Sequence, residues 1–303
     1  MTNGFQRIGL IGKFGDPSVG ETLSQLVGFL QQRGLSVSVE ASCADCLPAS
    51  DVPLVDRATL VASVDLAIVV GGDGTMLNAG RSLADAGVPL MGINLGRLGF
   101  LADISPDAMF DQLDRILNQE YETDERSLVH AVVHRDGRVV SDSDALNDVV
   151  VHKWDIARMI ELEVRIDGHL LHTSRSDGLI VSTPTGSTAY ALSGGGPLLH
   201  PSLAALVLVP ICPHTLSNRP IVVNDSVEVE ILLHDSGPTQ AQVTCDGQVN
   251  FALQAGDQIR IRRKDRPLRL IHPPGYDYFE ILRAKMHWGV QPHAGAQEAD
   301  KPC

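Results

Sequence analysis

The chain is short of positive charge. Its 24 lysines and arginines face 37 aspartates and glutamates, for a formal net charge of −13. Such a surface does not displace counterions from a polyanion, which argues against broad nucleic-acid binding. A small anionic ligand is still permitted, because a few cations in a cleft hold phosphates on an acidic protein. Cysteine is also scarce: Cys43, Cys46, Cys212, Cys245 and Cys303 are the five present. An odd number in a chain of 303 residues is no disulfide framework. Cys43-x-x-Cys46 is the one close pair and has no second pair at zinc spacing, so it reads as two thiols in a polar loop. Long apolar runs are missing. Those such as residues 203–212 reach about half of the ~20 residues that a membrane span needs. Met1 to Gly9 lacks the charged and apolar regions of a signal peptide. The expectation is a soluble, cytoplasmic protein with neither nucleic acid nor membrane as a partner. Two phosphate-binding motifs are absent as well: no Gly-x4-Gly-Lys-Ser/Thr loop, and no Gly-x-Gly-x-x-Gly after a strand.

What is present divides the chain in two. The first part alternates strand and helix patterns. Apolar strands are expected at residues 7–12, 35–40, 65–70 and 88–93, with helices at 18–33, 75–86 and 105–119. The 18–33 segment places Val19, Leu23, Leu26, Val27 and Leu30 at helical spacing and stops at Gly34. Such β-α-β alternation implies a parallel sheet covered by helices. From Leu128 onward the apolar period becomes two, interrupted by Asp136-Gly137, Asp167-Gly168 and Asp246-Gly247. Asp-Gly between alternating runs predicts tight hairpins and hence antiparallel sheet. Residues 259–269 alternate apolar with basic, the pattern of an edge strand whose cations face solvent. A last short helix is expected at 277–285, and the polar 292–303 segment is expected to be a disordered tail.

Three segments carry polar chemistry. Gly71-Gly72-Asp73-Gly74-Thr75 follows a buried strand and opens a helix. Glycines there let backbone approach a phosphate, and the helix N-terminus offers free N–H groups. Asp73 would repel a phosphate, so it reads either as a general base or metal ligand in phosphoryl transfer, or as the cap of a tight strand-to-helix turn. The stretch from Asp177 to Pro197 gathers Thr185, Ser187, Thr188, Tyr190 and Ser193 around Gly186, suiting a nucleotide's sugars and phosphates or a flexible loop. Asn147-Asp148 opens an apolar strand and reads as a ribose- or adenine-reading pair or as a strand-entry turn.

These three segments, with Asn94-Leu-Gly-Arg-Leu-Gly-Phe-Leu101 and Cys245-Asp-Gly-Gln248, occur in an order that resembles the NAD kinase family, its bacterial members especially, over residues 7 to 288. Gly-Gly-Asp-Gly is shared with diacylglycerol, sphingosine and 6-phosphofructo-kinases, whereas the Asp177–Pro197 block is specific. The resemblance implies a Rossmann-like α/β domain (residues 1–126), a β-sandwich-like NAD-binding domain (127–271) and a segment packing back on the first domain (272–291). It implies transfer of the ATP γ-phosphate to the adenosine-ribose 2′-hydroxyl of NAD. A magnesium or other divalent ion would assist, in a homo-oligomer whose neighbouring subunit completes the NAD site.

By motif, Asp73 takes the role of catalytic base, and Gly71, Gly72, Gly74 and Thr75 cradle the ATP phosphates. Asp73 and Gly74 also face NAD, with Phe100, Asn147, Asp148, Arg175, Asp177, Gln248 and the run Thr188, Ala189, Tyr190, Ala191, Leu192 and Ser193. Arg158 joins them where relatives often carry histidine, so its donor geometry departs from the pattern. Metal ligands are not assigned. Two rivals are a lipid or sugar-phosphate kinase sharing the glycine loop, and a nucleotide sensor without turnover. The absence of an amphipathic membrane-binding stretch speaks against a lipid substrate, and an intact Asp73 against the sensor.

Overall fold

The computed structural model describes residues 4–47, 52–96, 98–154, 158–215, 217–234 and 241–288. The expected tail at 292–303 lies outside them. The first part comprises β1 (Arg7–Gly12), α1 (Val19–Gln32), β2 (Ser36–Glu40), β3 (Leu54–Val55), α2 (Arg57–Ser63), β4 (Leu66–Val70), α3 (Asp73–Ala84), β5 (Leu90–Ile93), α4 (Met109–Leu117) and β6 (Glu122–Arg126). All five apolar positions named for α1 are buried, and they pack with α4 against one face of the sheet. α2 and α3 cover the other face. α2 was not foreseen, although Asp56 caps it by accepting from the Thr59 amide at 2.7 Å.

The second part comprises β7 (Val129–Arg135), β8 (Arg138–Ala145), β9 (Asp148–Lys153), β10 (Ile160–Ile166), β11 (His169–Ser176), β12 (Gly178–Ser182), α5 (Tyr190–Ser193), β13 (Ala205–Ile211), β14 (Ile221–Asn224), β15 (Val229–Leu233), β16 (Ala241–Cys245), β17 (Val249–Leu253) and β18 (Gln258–Arg263). Then follow β19 (Leu268–His272) and α6 (Tyr278–Met286).

Three sheets result. The first has the order β3-β2-β1-β4-β5-β19-β6, parallel except for β6. Its order reverses between β1 and β4, and the carboxyl ends of strands at such a switch point open a crevice. The other two sheets, β11-β10-β15-β18-β7-β8 and β14-β13-β12-β9-β16-β17, are antiparallel and share one apolar core, forming a sandwich. The outer face of the last sheet is covered in turn by α5 and Leu199, which explains why β12 is buried at every position. All three Asp-Gly pairs form the hairpins expected of them. Asp136, Asp167 and Asp246 have φ of 51°, 49° and 52°, and each following glycine is also positive. That is the doubly left-handed turn that joins twisted antiparallel strands.

One expectation is corrected. Residues 259–269 are not an edge strand: β18 lies between β15 and β7, and β19 belongs to the first sheet. Ile259 and Ile261 enter the core, while Arg262 pairs with Glu228 of the neighbouring strand segment on the outer face. Alternation reports which face a side chain takes and is blind to whether the strand has two neighbours. The return to the first sheet therefore begins at Leu268, inside the span that the sequence assigned to the second domain. No helix among the described residues is long and apolar enough to cross a membrane.

Candidate active site

The crevice at the switch point holds a cavity of about 870 Å³. Its wall takes Gly12 and Lys13 from the end of β1, Gly71, Gly72, Gly74 and Thr75 from the β4–α3 junction, and Asn94 from the end of β5. The four glycine-loop residues named for phosphates are thus brought together. Lys13 adds a cation that no motif announced. Arg57 also lines the wall, engaged in a two-pronged ion pair with Glu40 at 2.8 Å.

Asp73 does not cap α3. Gly72 occupies the cap position, and Asp73 is the first helical residue. Its carboxylate accepts backbone N–H bonds from Phe100 (2.9 Å), Leu101 (3.0 Å) and Ala102 (3.2 Å), reaching from one strand-end loop to the next. A Cβ on Gly99 would fall 2.2 Å from Asp73 Oδ1, so only glycine leaves room for this contact. A carboxylate offers about four lone-pair sites, and three are taken. The spare one is on Oδ2, which receives a single amide. The side chain is therefore aimed and still able to accept one more proton donor.

A second cavity, about 460 Å³, lies on the β9–β16–β17 face. Asn147, Asp148, Ala189, Tyr190 and Asp246 line it, together with His152, Gln242, Thr244 and Asn250. Cross-strand register explains the grouping: Thr244 stands opposite both Val150 and Asn250, and Gln242 opposite His152. Asp148 is buried, and its carboxyl is pushed up to about 7, first by loss of solvent and second by the charge of Asp246. Asp246 accepts from the amides of Leu146, Asn147 and Asp148 and pairs with Arg81 at 2.7 Å.

The two cavities adjoin at the β16–β17 hairpin. Gln248 donates its Nε2 to the Gly74 carbonyl at 2.8 Å and lines the first cavity, while its neighbours Asp246 and Gly247 line the second.

Asp73 itself, between Gly72 and Gly74, lines neither wall, and other named residues also fall outside both. The Phe100 ring faces Tyr278 at 6.5 Å, with Lys285 Nζ 5.5 Å above it. Arg175 is exposed on β11 and pairs with Glu161 at 3.1 Å, and Asp177 pairs with Lys153 at 2.6 Å. Arg158 is exposed ahead of β10. Ala191 is buried under the third sheet, and Leu192 and Ser193 follow it in α5. Thr188 bonds back to the Thr185 carbonyl at 3.1 Å, and Ser187 bonds Pro184 and Leu199, so much of that hydroxyl-rich block holds its own turn. The Cys43 thiol accepts from the Gly12 amide at 3.2 Å, and burial raises its pKa, which fits a packed thiol. Among the described residues no cluster of three or more His, Cys, Asp or Glu could hold a metal.

A parallel sheet with a glycine loop at its switch point, joined to a β sandwich that supplies a second polar cavity, defines a two-part nucleotide-binding protein. Comparison makes the class specific. Residues 8–121 match the ATP-NAD kinase N-terminal domain and residues 146–273 the ATP-NAD kinase C-terminal domain. The NAD kinase of Nitrosococcus oceani is 48% identical over 289 residues, covering 95% of this chain and 99% of its own. That of Chromohalobacter salexigens is 48% identical over 284 residues, 94% and 97% of the two chains. Among solved structures, an NAD kinase from Archaeoglobus fulgidus in complex with ATP superposes with a TM-score of 0.70 at 26% identity, over 93% of this chain and 99% of that one. Yeast NADH kinase complexed with NADH shares the fold, with a TM-score of 0.88 at 23% identity over 97% and 91%. The chain belongs to the NAD kinase family.

Proposed function

We propose that this protein transfers the γ-phosphate of ATP to the adenosine-ribose 2′-hydroxyl of NAD, giving NADP and ADP. ATP occupies the larger cavity with its phosphates on the glycine loop and Lys13. NAD occupies the smaller one, its adenosine against Tyr190 and its ribose hydroxyls on Asn147 and Asp148. The observation that carries this reading is adjacency: Gln248, on the wall of the larger cavity and bonded to the Gly74 carbonyl next to Asp73, directly follows Asp246 and Gly247 on the wall of the smaller one. A donor phosphate and an acceptor hydroxyl held on either side of that contact are brought within reach of one carboxylate.

A hydroxyl is a weak nucleophile at neutral pH, and Asp73 is the base. The three amides hold the carboxylate in one orientation, and the open site on Oδ2 takes the 2′-hydroxyl proton as the oxygen attacks phosphorus. A divalent cation, magnesium by chemistry, neutralises triphosphate charge when bound. The donors on the wall suit an ion carried in by the nucleotide: oxygen groups from Thr75, Asn78 and Asn94 around the loop, with no cluster of three or more His, Cys, Asp or Glu among the described residues. A homo-oligomer is part of the proposal. Arg158, Arg175 and Asp177 line neither cavity of their own chain and would serve the NAD site of a neighbouring one.

The test is an assay of the purified protein with NAD, ATP and Mg²⁺, with NADP detected by an NADP-specific dehydrogenase, beside an Asp73→Asn control. NADP from the wild type and almost none from the variant is the expected result. A folded, NAD-binding wild type that forms no NADP overturns the proposal.

A further inference from the structure

We propose that Arg81 is a positioning residue for this transfer: its guanidinium sets the distance between the glycine loop and the Asn147–Asp148 pair. The inference rests on the two cavities being donor and acceptor sites.

Arg81 lines neither cavity. It stands seven residues after Gly74 on α3, two helical turns, so it shares a face with the Gly74 carbonyl. Its two terminal nitrogens take different partners. Nη1 donates to Asp246 Oδ2 at 2.7 Å, and Nη2 donates to Gln248 Oε1 at 2.7 Å. Gln248 then returns its Nε2 to Gly74. Helix and hairpin are thereby pinned at two points, one per turn. From Asp246 the chain of bonds continues into the amides of Leu146 (3.1 Å), Asn147 (2.7 Å) and Asp148 (3.3 Å), the backbone that carries the acceptor pair.

The residue types fit the task. A planar fork with two divergent donors reaches two acceptors at a fixed separation, whereas an ammonium reaches one without fixing the other. The Arg81 side chain is 11% exposed and that of Asp246 0%, so water does not substitute readily for either. Without Arg81 the hydrogen bond left between hairpin and α3 among the described residues is Gln248–Gly74, and the acceptor pair moves with the hairpin. Phosphoryl transfer depends on in-line placement, so such drift lowers turnover while each nucleotide still finds its own cavity.

The experiment compares wild type, Arg81→Lys and the double variant Arg81→Met/Asp246→Asn. NADP formation gives kcat and KM, calorimetry gives the affinity for ATP and NAD separately, and circular dichroism monitors folding. The double variant leaves no buried carboxylate without a counter-charge, and its new amide carbonyl still accepts from the Asn147 backbone. It is expected to bind ATP, whose cavity neither residue lines, within about threefold of wild type and to lose about 100-fold in kcat. Arg81→Lys keeps the charge and is expected to recover part of that loss. A folded double variant with kcat near wild type overturns the proposal, as does a loss confined to KM. Should the double variant not fold, a folded Arg81→Lys with unchanged kcat overturns it equally. A wild type that forms no NADP removes the reading beneath it, a result distinct from an active wild type that is indifferent to residue 81.

Discussion

The two cavities are built on different principles. The larger one gathers loops at the ends of parallel strands; five of its lining residues are glycines, with polar side chains such as Lys13, Arg57, Thr75 and Asn94 around them. The smaller one lies across the face of antiparallel strands and is made of side chains, two of them carboxyls at the ends of the paired strands β9 and β16, Asp148 and Asp246. Backbone amides bind anions without having to be desolvated as charges. A pair of buried acids holds its shape only while its charge is managed. Beside the larger cavity Asp73 is held by three amides, whereas in the smaller one Asp246 takes a guanidinium and three amides and the Asp148 carboxyl is pushed up to about 7. The first site is robust in structure and sensitive in chemistry, and the second is the reverse.

That contrast predicts where damage shows. Asp73→Asn keeps a carbonyl for the Leu101 and Ala102 amides, sets its NH2 against the Phe100 amide and loses the base, so NADP formation falls by roughly 10²–10⁴-fold while stability falls by only about 1–3 kcal/mol. Full activity in a folded Asp73→Asn would place the base elsewhere. Asp246→Ala strips the partner from a buried arginine and from three amides at once. It is expected to destabilise the fold by about 3–5 kcal/mol in urea denaturation, well before catalysis is considered. A loss below about 1 kcal/mol would mean that water reaches this junction and that the contrast between the cavities is false.

How much of this was legible in the sequence follows the same line. The glycine loop was readable because strand, loop and first helical turn are contiguous, so chemistry and geometry share one short string. The alternation of β18 was readable and its place in the sheet was not, since pairing partners leave no trace in a strand's own period. Arg81 passed unnoticed because its partner is 165 residues away and nothing in α3 marks one arginine as different. His152, Gln242, Thr244 and Asn250 were likewise hidden: each is an ordinary polar residue on an alternating strand until the register puts them on one face. The family motifs pointed to Asn147, Asp148 and Gln248, and hydrogen bonds through Asp246 and Arg81 tie together the segments that carry them.

Asp148 gives the contrast a pH signature. Its carboxyl titrates near 7 against an ordinary 3.8, so the folded protein favours the protonated form. The stability this contributes is complete below the ordinary value and is lost as pH rises through about 7. Urea midpoints followed across that window should fall for wild type relative to Asp148→Asn, which cannot ionise, by a difference reaching a few kcal/mol. Parallel curves for the two proteins would mean that Asp148 is solvated and that its burial against Asp246 has no energetic weight.

The smallest effect belongs to the rim of the larger cavity, at Lys13. Its ammonium pairs with Asp16 at 2.9 Å, yet its side chain is 57% exposed, so the pair contributes little to folding. The Asp16 carboxyl is held down to about 2, first by the Ser18 hydroxyl and next by Lys13, and so it carries full charge at neutral pH. Lys13→Met would leave that charge facing a triphosphate. The expected result is stability within about 0.5 kcal/mol of wild type, a KM for ATP raised about tenfold and kcat nearly unchanged. Adding Asp16→Asn should restore part of the affinity, because repulsion is removed even though the cation is not replaced. Exposed charges are screened within a Debye length, so the gap between wild type and Lys13→Met should narrow as salt is raised. A gap that ignores salt would instead make Lys13 a direct, desolvated phosphate ligand, and would move it from the rim to the centre of the donor site.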